Sequence, residues 1–282
     1  ASVIRRWTKQ IEQPSHRHLD ELTRFGEAMD QALSESASLY SRKVDDSRNL
    51  LLGVLGHDLR TPLGVVHLSA SYLLRTDTLD GPQTKAAARI LTSSERMSEM
   101  VKDILDFTQT AFGVTLPITP SPSDMGELTH TIVGEVMTVF PECRIELALA
   151  GDLTGRWDKS RVGQMLSNLL TNAVQHGDRT DPVMVQVAGK SEEVFIEVRN
   201  SGTPMTAETQ KTLFLPLRQA PAAEGERRAG SSGLGLGLYI SREIAIAHGG
   251  AIAVESNRAG TVFKARLPRR PPVSKDRRAS QA

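Results

Sequence analysis

Gln164-Met165-Leu166-Ser167-Asn168-Leu169-Leu170-Thr171-Asn172-Ala173-Val174-Gln175-His176 is the stretch that decides how the second half of this chain folds. At helical spacing Leu166, Leu169, Leu170 and Ala173 fall on one face. Asn168, Asn172 and Gln175 or His176 recur every three or four residues on the other. Asp158 stands where an N-cap belongs, so the helix runs from there to His176. Its apolar face needs cover, and both flanks supply it. Downstream, VMVQVAGK and EVFIEVRN alternate with period two around KSEE, the pattern of a β-hairpin. Upstream, Asp124 is placed to cap a helix to about Phe140, and CRIELALA and Gly155–Trp157 read as strands. A helix over roughly Leu234–His248 and the strands AIAVES and TVFKARLP complete an α+β layer, helices on one face of a mixed sheet.

From Leu19 the pattern is different. Apolar or small residues at Leu22, Phe25, Met29, Leu33, Ser36, Tyr40, Val44, Ser47, Leu51 and Val54 step alternately by three and four. That is the seam of a coiled coil or a long bundle helix. It carries through Pro62 to about Arg75, where TDTLDGP supplies turn chemistry. A second helix is expected from about Pro82 to Phe112, with Ile90, Met97 and Ile104 recurring at seven. Two such helices joined by a short loop form an antiparallel hairpin. One hairpin leaves an apolar face open, so pairing with a second copy into a four-helix bundle is the natural closure. The expected divisions are 1–18, a remnant of an upstream region; 19–112, the hairpin; 113–122, a proline-rich linker or edge strand; 123–268, the α+β layer; and 269–282, a disordered basic tail.

Three segments carry chemistry. In Leu55-Gly56-His57-Asp58-Leu59-Arg60-Thr61-Pro62-Leu63, His57 sits beside the seam among polar groups. A lone helical histidine is usually structural, but the adjacent carboxylate of Asp58 can accept the imidazole N–H and leave the other nitrogen as a nucleophile. The stacked amides of Asn168 and Asn172 suit Mg²⁺, a hard cation that takes oxygen ligands while keeping waters and phosphates. The competing reading is a solvated polar face, for which asparagine is a poor helix former. In Gly230-Ser231-Ser232-Gly233-Leu234-Gly235-Leu236-Gly237-Leu238 the glycines let backbone N–H groups approach phosphates, and the following helix N-terminus adds favourable potential. No Gly-Lys-Ser/Thr follows, so it is not a P-loop, and no βαβ context supports a dinucleotide site.

Composition excludes more than it assigns. The 34 basic and 33 acidic residues nearly cancel, so no global field recruits nucleic acid or anionic lipid. Cys143 is the only cysteine, which rules out an internal disulfide and a cysteine-rich metal site. It reads as a small buried apolar side chain in a strand. No apolar run approaches the roughly 20 residues that span a bilayer. That absence concerns this stretch alone.

Taken in order, these segments resemble the sensor histidine kinases. His57 to Pro62 is similar to their phosphoacceptor box, and Asn168 to His176 to their N box. Val198-Arg199-Asn200-Ser201-Gly202 is similar to the first glycine box, and Leu213-Phe214-Leu215-Pro216 to the F box. Gly233 to Gly237 resembles the second glycine box, and Gly260-Thr261-Val262-Phe263 the GTxF close. The resemblance spans about Leu19 to Pro268. It implies a dimeric phosphotransfer hairpin followed by an α/β sandwich that binds ATP, as in the Hsp90, gyrase and MutL group.

Carried onto this chain, the resemblance makes His57 the nucleophile, Asp58 its hydrogen-bond acceptor and general base, and Thr61 the residue that orients water to dephosphorylate the partner. Asn172 becomes the Mg²⁺ ligand, supported by Asn168, with Gln175 and His176 beside the nucleotide. Asn200, Gly202 and Thr261 fall to the adenine side. Gly233, Leu234, Gly235, Leu236 and Gly237 form the phosphate lid, with Arg218, Arg227 or Arg228 the candidate cation in it. ATP and Mg²⁺ are the implied cofactors. A second copy and a response regulator receiver domain are the implied partners, without nucleic acid or direct membrane contact. The implied location is the bacterial cytoplasm, with an upstream membrane tether left open. Three positions depart from the family pattern: Asn200 stands where Asp is usual, Gln175 where Lys is common, and Leu217-Arg218 where aromatics follow the F box. Asn200 motivates the rival reading, a degenerate kinase serving as a dimeric scaffold.

Overall fold

The computed structural model describes residues 16–76, 79–111, 113–178, 180–217 and 234–270, and within 16–57 the side chains of 20, 23–36 and 38. The start of the expected upstream remnant, the loop 218–233 and the tail from 271 lie outside them. Two compact units divide at His57, residues 1–57 and residues 58–282.

In the first unit, helix α1 (His16–Arg75) begins three residues ahead of the expected Leu19. Phe25, Met29 and Leu33 are exposed on it at four-residue spacing. So long a helix depends on something covering such a stripe.

In the second unit α1 runs on through Pro62, which forgoes one helical hydrogen bond. Helix α2 (Gly81–Thr110) opens with a capping box. Asp80 accepts from the Gln83 N–H at 2.8 Å, and the Asp80 N–H donates to Gln83 Oε1 at 3.1 Å. His67 and Glu95 approach to 3.9 Å across the two helices. Val65, Leu68 and Tyr72 on α1, with Ile90, Met97 and Ile104 on α2, stay exposed. This is the open apolar face that the heptad spacing implies.

The α+β layer contains β1 (Ser121–Asp124), α3 (Met125–Val139), β2 (Ile145–Ala150), β3 (Thr154–Trp157) and α4 (Lys159–His176). It continues with β4 (Val183–Gly189), β5 (Glu193–Asn200), α5 (Ala207–Thr212), α6 (Gly237–Ala247), β6 (Ala251–Asn257) and β7 (Gly260–Pro268). Five strands form one sheet in the order β2-β4-β5-β7-β6, with β2 and β4 parallel and the other pairs antiparallel. Period-two alternation sends Val194, Ile196 and Val198 of β5 inward, into one buried core with Leu166 and Leu170 of α4 and Ile240 and Ile244 of α6. Val162, Met165, Leu166, Leu169, Leu170 and Ala173 of α4 are fully buried. Each large side chain so buried stabilises by about 1.5–3 kcal/mol.

Polar pegs fix the start of α4. Asp158 Oδ1 accepts from the Arg161 N–H at 3.1 Å, and its Oδ2 accepts from the Thr119 N–H at 2.8 Å. The Asp158 N–H donates to His248 Nε2 at 3.1 Å, while His248 Nδ1 lies 2.8 Å from the Ile244 carbonyl. His248 is therefore a neutral ring protonated at Nδ1, and burial pushes its pKa below the ordinary value. Trp157 is fully buried and donates to the Pro268 carbonyl at 2.7 Å. Its ring packs on Gly155 so tightly that a Cβ there would overlap it.

Several boundaries differ from the sequence expectation. Cys143 precedes β2 in a turn and is half-buried, because its N–H is taken by the Phe140 carbonyl. Helix α6 starts at Gly237 rather than Leu234, since Gly235 adopts φ +70° and the Leu236 side chain turns into the core. The proline-rich linker contributes β1, paired antiparallel with β3. Arg269, assigned to the tail, reaches back to the carbonyls of Lys190, Asp152 and Thr154. The short helix α5, capped by Thr206, was not anticipated.

The second hairpin helix also packs on the layer. Asp106 is buried and pairs with Arg161 at 2.5 Å. One turn earlier, Asp103 accepts from Gln164 Nε2 at 3.4 Å. Burial, followed by the nearby charges of Asp106 and Glu99, pushes the Asp103 pKa up to about 6. Because that value lies above the unfolded one, ionised Asp103 lowers stability at pH above 6, and the penalty fades as pH falls towards 4. We expect Asp103→Asn to stabilise by about 1–2 kcal/mol at pH 8 and to be neutral near pH 4. Thermal unfolding at both pH values checks this; an equal shift at both would contradict it.

Candidate functional site

The polar face of α4 meets the start of α6. Asn168 Nδ2 donates to the Gly237 carbonyl at 3.0 Å, and Ser241 Oγ donates to the same oxygen at 2.8 Å. A Cβ at Gly237 would lie in van der Waals contact with the Asn168 side chain, 3.4 Å from its Cγ, so the two helices pack directly there. The N-cap of α6, Leu236, offers no side-chain hydrogen bond, and the first turn holds no acidic residue. The first N–H groups of this helix are thus uncapped by side chains and lie at the positive end of its dipole. Such an end takes phosphate. Leu236 itself is buried, so it offers only its backbone, and Leu234 packs against the core.

Asn172 stands one turn beyond Asn168, half-buried, with no hydrogen bond among the described residues. Gln175 is half-buried and His176 is exposed at the end of α4. Asn200, the last residue of β5, is 4% exposed. Its Nδ2 reaches the Ser201 carbonyl only at 3.5 Å, and its Oδ1 has no partner among the described residues. Glycines wall it in. A Cβ at Gly177 would lie 3.2 Å from Asn200 Cβ, and one at Gly202 would lie 2.5 Å from the His176 carbonyl. Gly260 holds φ +118°, and a Cβ there would overlap the Asn200 carbonyl oxygen. Thr261 pairs with Asn200 in register, is buried, and shares a 2.8 Å hydrogen bond with Ser256.

Ser201 belongs to the glycine-box segment but was given no role from the sequence; its buried Oγ has no hydrogen-bond partner among the described residues. Buried polar atoms are normally satisfied, so Ser201 joins its neighbour Asn200 as hydrogen-bonding capacity in reserve at the end of β5. Nothing local in the sequence marks which hydroxyl of such a segment is left without a partner. Phe214 of the F box packs edge-on to Phe263, 6.5 Å between centroids, and Leu217 adopts φ 59° just before the loop. Arg218 and Gly233 lie outside the described residues.

The donor set fits a nucleotide: N–H groups without a side-chain cap among the described residues for phosphates, an amide and a hydroxyl for a base, and glycines where the backbone must come close. For a metal, no group of three His, Cys, Asp or Glu among the described residues would hold one. An Asn172 amide oxygen completed by phosphates and water suits a hard cation better. His57 lies on α1 with its side chain outside the described set, while Asp58 and Thr61 are exposed.

Gly202→Ala should push the Asn200 wall apart and weaken binding of a non-hydrolysable ATP analogue about ten-fold or more. Gly64→Ala, with open space around it, should leave affinity unchanged. Calorimetry of both variants decides; equal affinities would remove the Asn200 wall from the pocket.

Two family models match the chain. Residues 47–111 match the His Kinase A (phospho-acceptor) domain, and residues 157–271 match the histidine kinase-, DNA gyrase B- and HSP90-like ATPase. A bacteriophytochrome of Pseudomonas aeruginosa is 35% identical over 236 residues, 84% of this chain and 32% of that protein. The probable sensor histidine kinase TcrY of Mycobacterium tuberculosis is 27% identical over 92% of this chain and 54% of its own length. The chain thus spans only a third to a half of these two relatives. Among solved structures, full-length ShkA with AMPPNP superposes with a TM-score of 0.61 at 24% identity, covering 79% of this chain and 46% of that one. The histidine kinase ThkA, solved with its response regulator TrrA, gives 0.50 at 23% identity, covering 78% of this chain and 61% of that one. These likenesses speak for the fold. With a phospho-acceptor domain preceding its ATPase domain, the chain carries the domain pair of the histidine kinases.

Proposed function

We propose that this chain is a kinase core that transfers the γ-phosphoryl group of ATP to its own His57 and passes it to an aspartate of a response regulator receiver domain. The observation that carries the reading is an α6 N-terminus without a side-chain cap, together with Asn172, the Asn200 Oδ1 and the Ser201 Oγ left without partners among the described residues, in an ATPase domain that follows a phospho-acceptor domain. ShkA with AMPPNP and ThkA with TrrA support carrying the nucleotide and the partner to this chain.

In this reading the α6 N–H groups and the segment Gly233–Gly237 hold the phosphates, with Arg218 as a cation in the loop. Asn200 Oδ1 accepts the adenine amino group, in a pocket shaped by Gly202 and Thr261. Gln175 and His176 border the nucleotide, and Asn168 keeps α6 in place. Mg²⁺, held by Asn172 together with the phosphates, supplies charge neutralisation. Asp58 holds the N–H of the His57 ring so that the other nitrogen attacks phosphorus. As that N–P bond forms, the bond to the bridging oxygen breaks, ADP leaves, and the ring proton passes to Asp58. Thr61 orients the water that dephosphorylates the regulator.

The exposed stripe Val65, Leu68, Tyr72, Ile90, Met97 and Ile104 is the surface on which a second copy closes a four-helix bundle. No described helix is long and apolar enough to cross a membrane. A cytoplasmic location, with any tether upstream, is part of the proposal.

Incubation with γ-labelled ATP and Mg²⁺ should give acid-labile, base-stable label that is absent from His57→Gln. Nucleotide binding without label would instead favour a degenerate scaffold. Asn200→Asp restores a charged acceptor, worth about 1 kcal/mol. We expect it to tighten ATP binding about five-fold in a calorimetric titration. Equal or weaker binding would remove Asn200 from base recognition.

A further inference from the structure

We infer that Arg161 and Tyr239 are positioning residues, which with Asp106, Phe107 and Thr110 clamp both nucleotide-site helices to the second hairpin helix and set the register for phosphoryl transfer. The inference rests on the kinase reading. None of the five residues belongs to the pocket described above, and the proposed chemistry uses none of them.

The contact has two points, one helical turn apart on α2. At the first, Arg161 Nη1 meets Asp106 Oδ2 at 2.5 Å with side-chain exposures of 16% and 6%. The same nitrogen donates to Gln164 Oε1 at 3.2 Å. At the second, the Tyr239 hydroxyl donates to Thr110 Oγ1 at 2.9 Å, and the Thr110 hydroxyl in turn donates to the Asp106 carbonyl at 3.0 Å. The Tyr239 ring stands edge-on to Phe107, 5.7 Å between centroids at 74°. A desolvated ion pair contributes little more stability than apolar packing would, but losing one partner strands a buried charge. It therefore penalises any other register, which plain apolar contact does not.

Both points act on elements of the nucleotide site. Arg161 lies two turns before Asn168 on α4, and Tyr239 lies two residues after Gly237, whose carbonyl Asn168 holds. The connecting chain is tied down as well: Leu116 is buried, and the Thr119 N–H donates to the same Asp158 carboxylate that caps α4. The phosphate-binding end of α6 cannot rotate on α2 without breaking the Tyr239 point, nor α4 without breaking the Arg161 point.

The test uses the whole chain carrying Tyr239→Phe, which removes one hydroxyl, or Asp106→Asn, which removes one charge. Three quantities are read: autophosphorylation rate at saturating ATP, calorimetric affinity for AMPPNP, and hydrogen exchange at the amides of 114–119. We expect the rate to fall about ten- to a hundred-fold, as small misplacements do. AMPPNP affinity should stay within about two-fold, and exchange at 114–119 should quicken while β5 and β7 stay protected. An unchanged rate, a rate loss matched by equally weakened AMPPNP binding, or a rise in rate would each overturn positioning. If the wild type takes no label, the kinase reading fails instead. The clamp is then judged by exchange alone, and unchanged exchange at 114–119 in both variants overturns it.

Discussion

The burial of α4 is the interaction on which the rest of the ATPase layer depends. Six of its side chains have no contact with solvent, and they meet strands from the centre of the sheet as well as α6. Once that face is committed to the core, helical geometry leaves Arg161, Asn168 and Asn172 no choice of side. One amphipathic helix thus serves three purposes. It closes the core, presents amides to the cleft and offers a cation to the hairpin. Its start is the most heavily tied point in the layer, since Asp158 caps α4, anchors the incoming chain at Thr119 and engages the buried His248.

Hydrogen bonding divides the layer into satisfied and unsatisfied parts. Away from the cleft, buried polar groups are spent on one another. Trp157 holds the Pro268 carbonyl, His248 holds Ile244, and Arg269 gathers carbonyls of Lys190, Asp152 and Thr154. At the cleft the reverse holds: Ser201 Oγ and Asn200 Oδ1 face no described partner, and α6 begins without a side-chain cap. Leaving such groups unpaired costs stability in the empty protein. Concentrating that cost at one place beside a cleft is what a binding site for a polar, phosphate-bearing ligand requires.

The hairpin follows a different logic. Among the described residues its helices carry little of the fully buried apolar surface, and Val65, Leu68, Tyr72, Ile90, Met97 and Ile104 remain open. The few buried residues of α2 include Asp106 and Thr110, which face the ATPase layer. The helix therefore has two kinds of contact: a broad apolar stripe suited to another helix, and a narrow polar one suited to a defined register.

Periodicity and end signals are local, and they were legible without coordinates. The alternation of β4 and β5, the caps at Asp124 and Asp158, the seven-residue recurrence of Ile90, Met97 and Ile104, and the two faces of α4 all follow from neighbours in sequence. So does the assignment of Asn200 and the glycines to one family pattern, because motifs preserve spacing. Features that depend on distant pairs were not legible. Asp106 meets Arg161 across 55 residues, and Asp158 meets His248 across 90. The break of the last helix at Gly235, the use of Arg269 as a staple and the solitary Ser201 hydroxyl likewise appear only once the layers are stacked. By itself the sequence determined which elements form and which residue types can do the chemistry, because both are set by short-range sterics and spacing. Only the tertiary structure decided which polar groups are consumed by the fold and which are left for a ligand, because that choice is made by residues far apart in the chain.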